Sequence, residues 1–219
     1  MILNIMDKYV IGGFISGIVQ TLIGHPFDTI KVYYQNSLKK KIKLTNLYRG
    51  ISYPLLTNSC VTSLNFSVYS YMREKFNTSH MISGGVSGIA TGIVLTPIEL
   101  YKIRRQLFVK SPVKPTKGFS SCLLREIPAF ASYFSTYHYL KENNWSILNS
   151  GGIAGMVCWI ITYPLDVIKT RVQSGKAQNI MSAFKQGSLF NGISICLLRS
   201  YPVNAIGFYS YEYIINKLS

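Results

Sequence analysis

An all-α membrane protein is predicted, with six transmembrane helices built as three tandem two-helix repeats in a pseudo-threefold bundle. Three observations predict it: uncharged stretches of membrane length, basic residues gathered in alternate connections, and one sequence unit that occurs three times. Only 14% of the 219 residues are charged, yet the net charge is +15. Soluble domains average about 25% charged residues.

The elements follow in chain order. Segments 9–27, 51–72, 81–98 and 147–165 contain no Lys, Arg, Asp or Glu, and each has at least 18 residues. A hydrocarbon layer of about 30 Å needs roughly 17–25 apolar residues in a helix. Two further spans, near 123–140 and 197–215, are rich in Tyr and Phe and carry Arg125, Glu126, Arg199 and Glu212. Connections 36–50, 103–118 and 167–192 hold 5, 5 and 4 Lys/Arg and no acid, whereas 1–8, 73–80, 141–146 and 212–219 mix both signs. That asymmetry puts three basic loops on one side of a membrane and both termini on the other. A nucleic-acid-binding stripe would not alternate with apolar spans, so no nucleic acid polymer is expected as partner. No signal or transit peptide is expected before the first span. Cys60, Cys122, Cys158 and Cys196 lack metal or disulfide spacing, and His25, His80 and His138 are scattered. No cofactor or metal is expected. The chain also lacks a nucleophile–base set and a phosphate loop, so it does not read as an enzyme.

The repeat reads "GFISGIVQTLIGHPFDTIKVYYQ" from Gly13, "GGVSGIATGIVLTPIELYKIRRQ" from Gly84 and "GGIAGMVCWIITYPLDVIKTRVQ" from Gly151. Ungapped, Gly17, Gly88 and Gly155 align, followed by Pro26, Pro97 and Pro164. Then come Asp28, Glu99 and Asp166; Lys31, Lys102 and Lys169; and Gln35, Gln106 and Gln173. The second half repeats more loosely. Gly50, Gly118 and Gly192 stand seven residues before Thr57, Arg125 and Arg199. Nine residues on come Phe66, Phe134 and Phe208, then Tyr69, Tyr137 and Tyr211. The whole chain, 1–219, is read as one transmembrane domain with repeats at 1–77, 78–145 and 146–219. Glycines four apart let helix backbones approach closely in lipid. Proline removes a backbone hydrogen bond and kinks a helix. An acid and a base three residues apart share a helix face and can reach neighbouring units.

At these residues the chain resembles the mitochondrial carrier family, whose odd helices carry Pro-x-[Asp/Glu]-x-x-[Lys/Arg]-x-[Lys/Arg]-x-Gln. The copies here are "PFDTIKVYYQ", "PIELYKIRRQ" and "PLDVIKTRVQ", the first with Tyr33 in place of the second base. The resemblance implies alternating access through one central site in the mitochondrial inner membrane, with both termini cytosolic. It implies a matrix gate in which Asp28 pairs with Lys102, Glu99 with Lys169 and Asp166 with Lys31, braced by Gln35, Gln106 and Gln173. The family's cytosolic gate, [Tyr/Phe]-[Asp/Glu]-x-x-[Lys/Arg], is degenerate here. Its three sets are Tyr69-Ser70…Arg73, Tyr137-His138…Lys141 and Tyr211-Glu212…Ile215. Glu212 with Arg73 is the ion pair this leaves, so a weak cytosolic gate and a cytosol-open resting state are expected. Proline-to-glycine spacings of 24, 21 and 28 residues are short for the family's matrix loop with its small helix. Membrane lipid, cardiolipin in particular, is the expected partner of the basic loops, and the carrier is expected to be a monomer.

Charges inside a span mark functional positions. Arg125, Glu126 and Arg199 fall where the family contacts substrate on its fourth and sixth helices, and Thr57, Asn58 and Val61 match on the second. Arg forks bind carboxylate or phosphate. "REIP" at 125–128, "GHPFDTIKV" and "RSYPVNA" resemble the carnitine and basic amino-acid branch. The expected cargo is therefore a small carboxylate-bearing metabolite such as a basic amino acid or an acylcarnitine, exchanged by antiport. The alternative is a nucleotide or deoxynucleotide exchanger, of the kind a large DNA virus would place in host mitochondria. A proton or ion leak through Glu126 and His138 is a third reading.

Overall fold

The computed structural model describes residues 2–35, 47–48, 51–106, 118–190 and 192–218, with the side chains of 2–5, 28–35, 101–106 and 174 outside the description. Every regular element in it is helical. In chain order these are α1 (Ile2–Gln35), α2 (Ser52–Phe76), α3 (His80–Gln106), α4 (Phe119–Glu142), α5 (Ile147–Ser174), α6 (Ile180–Lys185) and α7 (Ile193–Leu218).

Local chemistry sets the boundaries. α2 stops at Asn77, which takes a left-handed conformation (φ 47°) and returns its N–H to the Arg73 carbonyl. α4 begins after Gly118 at φ 81°. The Ser146 hydroxyl caps α5 by accepting from the Asn149 N–H, and Gly175 at φ 80° closes its other end. Pro26, Pro97 and Pro164 lie inside α1, α3 and α5. Among the described residues, three segments are long and apolar enough to cross a membrane: Met6–Phe27, His80–Leu100 and Ile147–Gln173. They belong to α1, α3 and α5, the helices that open each repeat.

The repeat organises the packing. α1 lies on α2, α3 on α4 and α5 on α7 within the units. Between units, α2 meets α3, α4 meets α5 and α7 meets α1, which closes the ring. The repeated glycines set how closely paired helices approach. A Cβ at Gly17 would sit 2.5 Å from the Ser59 Cα, and one at Gly88 would sit 2.6 Å from the Glu126 carbonyl oxygen. The second of these contacts seats the Arg125–Glu126 turn of α4 against α3.

The third connection departs from the expectation that all three loops are too short for a small helix. It contains α6, opened by a reciprocal capping box between Asn179 and Ser182. Arg171 holds it to α5 by donating to the carbonyls of Ala183 and Gly187, each at 2.8 Å. Most of the other two connections lies outside the described residues.

Candidate functional site

A cavity of about 170 Å³ lies between α1, α2, α4, α5 and α7. Its polar lining comes from Gln20, Thr62, Asn65, Arg125, Tyr133 and Asn204. Phe66 and Phe134 line it as well as a second cavity of about 290 Å³, so they stand between the two. The second cavity is bordered by Tyr69, Tyr137, Tyr211, Lys141 and Glu212.

The proline-bearing side of the central cavity is ionic. Lys169 on α5 is 3% exposed, and its Nζ stands 2.5 Å from Glu99 Oε2 on α3 and 2.9 Å from Glu126 Oε1 on α4. The other Glu126 oxygen, Oε2, accepts from Arg125 Nη1 at 2.6 Å. Arg125 Nε lies 3.5 Å from Asp166 Oδ1, and its guanidinium sits 5.3 Å from the Trp159 ring centre. Glu126 itself is fully buried. A carboxylate there persists because two cations saturate it; an unpaired buried charge costs several kcal/mol, on the order of the desolvation penalty. The pairing of Glu99 with Lys169 thus sits inside a larger network, with Glu126 as second acid. Spacing along the chain could not show this, because Glu126 lies in a different repeat half from the aligned acids.

The side chains of Asp28, Lys31, Gln35, Lys102 and Gln106, expected in the same gate, lie outside the described residues. Gln173 is fully buried against Gly118, and its carboxamide makes no hydrogen bond among the described residues.

The opposite side is aromatic. Phe66, Phe134 and Phe208, one from each even helix of the repeats, meet edge to face with centroids 5.5, 5.6 and 6.3 Å apart. Tyr137 stacks on Phe208 at 3.6 Å, Tyr69 on Phe134 at 3.8 Å and Tyr211 on Phe66 at 3.9 Å. Offset and T-shaped pairs of this kind add roughly 0.5–1.5 kcal/mol each beyond their burial. The expected Glu212–Arg73 pair is replaced. Glu212 bonds Lys141 and accepts from the Tyr137 hydroxyl at 2.6 Å, while Arg73 donates to the Thr78 carbonyl. Ser70, which the motif alignment sets against Lys141, bears no charge and bonds the Tyr211 hydroxyl at 3.0 Å. With no carboxylate of its own, Lys141 turns to Glu212. Rings therefore contribute contacts at this end beside the ion pairs on which the expectation of a weak gate was built.

The expected substrate residues separate. Val61 and Arg125 line the central cavity, whereas Thr57, Asn58, Glu126 and Arg199 lie outside its lining. Thr57 donates to the Tyr53 carbonyl on its own helix at 2.9 Å, and Asn58 reaches Thr21 on α1 at 3.3 Å. Arg199 faces α1, with its Nη2 3.1 Å from where a Cβ on Gly24 would stand. Gln20, Asn65, Tyr133, Trp159 and Asn204 are lining residues that motif reading passed over. A signal existed for Asn65, which falls one helical turn beyond Val61 and two beyond Thr57. His80 and His138, scattered in the chain, stack with ring centres 4.0 Å apart, and Tyr69 bonds His80 at 2.6 Å. Among the described residues no three His, Cys, Asp or Glu converge as a metal site.

The family model for mitochondrial carrier protein matches residues 141–219, which span the third repeat. The mitochondrial arginine transporter BAC2 of Arabidopsis thaliana is 29% identical, with 96% of this chain and 91% of that protein covered. The mitochondrial basic amino acids transporter of Homo sapiens is 28% identical over 90% of this chain and 86% of that protein. The mitochondrial substrate carrier family protein S of Dictyostelium discoideum is 28% identical over 95% of this chain and 96% of that protein. The chain is thus similar to mitochondrial carriers over nearly its whole length, and its third repeat matches their family model. The match to the Arabidopsis thaliana protein runs over 270 aligned positions while this chain has 219 residues, so that relative holds segments with no counterpart in this sequence.

Proposed function

We propose that this carrier exchanges a small carboxylate-bearing metabolite, such as a basic amino acid or an acylcarnitine, across the mitochondrial inner membrane by alternating access. One observation carries the reading: Arg125, on the cavity wall, shares Glu126 with Lys169, which is itself paired with Glu99. A substrate carboxylate arriving at Arg125 competes with Glu126 for the guanidinium. Glu126, released on one side, draws Lys169 away from Glu99 and loosens the contact between α3 and α5. Cargo recognition and gate opening are then one electrostatic event, driven by the difference in substrate affinity between the two states. Arg125 Nη2, which makes no hydrogen bond among the described residues, supplies the incoming carboxylate with its first donor.

In this scheme all six long helices span the membrane as three repeats. Asp28 with Lys102 and Asp166 with Lys31 complete the matrix gate, the glutamines brace it, and the aromatic layer is the cytosolic closure. The carrier acts as a monomer, with cardiolipin against its basic loops. Two of the relatives are named for arginine or basic amino acids, which favours that branch. Counterflow in liposomes with radiolabelled lysine, carnitine and dATP tests the proposal. Exchange of lysine or carnitine is expected, and uptake of dATP alone overturns it in favour of a nucleotide carrier.

A further inference from the structure

Two histidines far apart in the chain meet on the aromatic side, and the exchange scheme above uses neither. His80 opens α3, and His138 lies one turn before the end of α4. Their rings are 10° from parallel, with centres 4.0 Å apart. Tyr69 of α2 lies 5.7 Å from the His138 ring centre, and its hydroxyl meets His80 Nδ1 at 2.6 Å. Tyr69 also stacks on Phe134, so the histidines tie α2, α3 and α4 to the aromatic layer. His138 borders the second cavity. Among the described residues, the charges acting on the pair are Arg73 of α2 with Lys141 and Glu142 of α4. Glu142 lies 3.9 Å from His80 Nε2, but its side chain is 69% exposed, and such contacts contribute little. Tyr137 meets His138 edge to face, and Glu212 of α7 is already engaged by Lys141 and Tyr137. In the motif alignment His138 takes the place of an acid, and the position set against it is Ile215, which carries no charge.

We propose that the His80–His138 stack is a pH-sensitive latch: it holds α2, α3 and α4 together at neutral pH, and mild acid releases it and opens the second cavity to solvent. Imidazole is the side chain whose charge changes between about pH 5 and 8. Two imidazolium rings face to face at 4.0 Å repel each other, and Arg73 and Lys141 add to the repulsion. The stacked pair therefore holds at most one proton, whereas separated rings in water take one each. The state that binds more protons gains as pH falls. Latching is then complete well above the ordinary histidine value of about 6.5 and is lost as pH falls through it. One extra proton in the opened state shifts the balance about tenfold between pH 7.5 and 5.5. A carboxylate at position 138 would keep its charge across that range and give no response. The inference stands apart from the cargo, because neither histidine lines the central cavity.

The test is amide hydrogen exchange of the full chain in liposomes, read by mass spectrometry at pH 7.5 and 5.5. Labelling times are scaled to the intrinsic exchange rate at each pH. Wild type is expected to lose protection by about tenfold in the acid sample over residues 66–76, 80–86 and 134–142, while 147–165 keeps its own. His138→Phe retains a ring without a titrating group, and it is expected to make protection there independent of pH. His80→Gln retains a partner for the Tyr69 hydroxyl and is expected to do the same, and it decides the matter if the phenylalanine variant does not fold. Equal protection of wild type at the two pH values, or a fall that persists in either variant, overturns the latch. No cargo is present in the measurement, so its failure leaves the transport reading untouched.

Discussion

The two sides of the central cavity are held together by different physics. At the proline-bearing end, Glu99, Arg125, Glu126, Asp166 and Lys169 form a connected set of charges from α3, α4 and α5. At the other end, six rings from α2, α4 and α7 stack around the second cavity, with Lys141–Glu212 as an ion pair at its edge. A charge network depends on every partner, because removing one strands a buried carboxylate. An aromatic layer depends on area, which is lost in proportion to what is cut away.

Breaking the ionic end gives the largest effect. Lys169→Ala takes the cation from Glu99 and leaves the buried Glu126 with Arg125 alone, and it is expected to destabilise the fold by about 3 kcal/mol, with loss of exchange. Thermal unfolding in detergent measures the first and counterflow the second, and a melting temperature equal to wild type would refute the network. Phe208→Ala comes next, at about 3 kcal/mol for a ring 1% exposed. Here the loss is expected to be graded, with partial uptake remaining and cysteine reagents gaining access from the aromatic end. Glu126→Gln keeps the shape but removes the shared charge. It is expected to lower exchange about tenfold, roughly 1.4 kcal/mol in the barrier, with a modest change in stability. Unaltered exchange would separate cargo binding from the gate.

Smaller still is Lys141→Gln. Its pair with Glu212 is partly exposed, so about 0.5 kcal/mol is expected, and less at high salt. Arg73→Gln should change exchange less than Lys141→Gln, since Arg73 bonds a carbonyl and not Glu212. The reverse ranking in paired uptake assays would restore the pairing that motif alignment implied.

Much of the architecture was legible because it is repeated. Three copies of Gly-x-x-x-Gly and Pro-x-acid-x-x-Lys announced three equivalent helix pairs, and the pairs α1 with α2, α3 with α4 and α5 with α7 follow that pattern. The site was legible in part. Arg125 was readable as a charge within an apolar span, and it lines the cavity. Asn65 was not, because an asparagine in a span is an ordinary residue until the packing of the helices sets it on a cavity wall. The aromatic closure was visible as repeated Phe and Tyr, but its strength was not, since ring stacking depends on the facing angles of three helices. The small helix α6 escaped because its signal, Asn179 followed by Ser182, is short and local.

By itself, the sequence determined the order of helices, their threefold equivalence and the level along each helix at which glycine, proline, acid and base stand. These are consequences of covalent spacing and helical rise, and they hold however the helices pack. Tertiary structure decided the partners. Lys169 meets Glu126 as well as Glu99, and Lys141 takes Glu212 where alignment offered it Ser70. A charged side chain reaches several ångströms in any direction, and in a low-dielectric interior it goes to whichever counter-charge the packing brings nearest. Spacing along one chain sets where a group stands, but only the assembled bundle sets what stands opposite it.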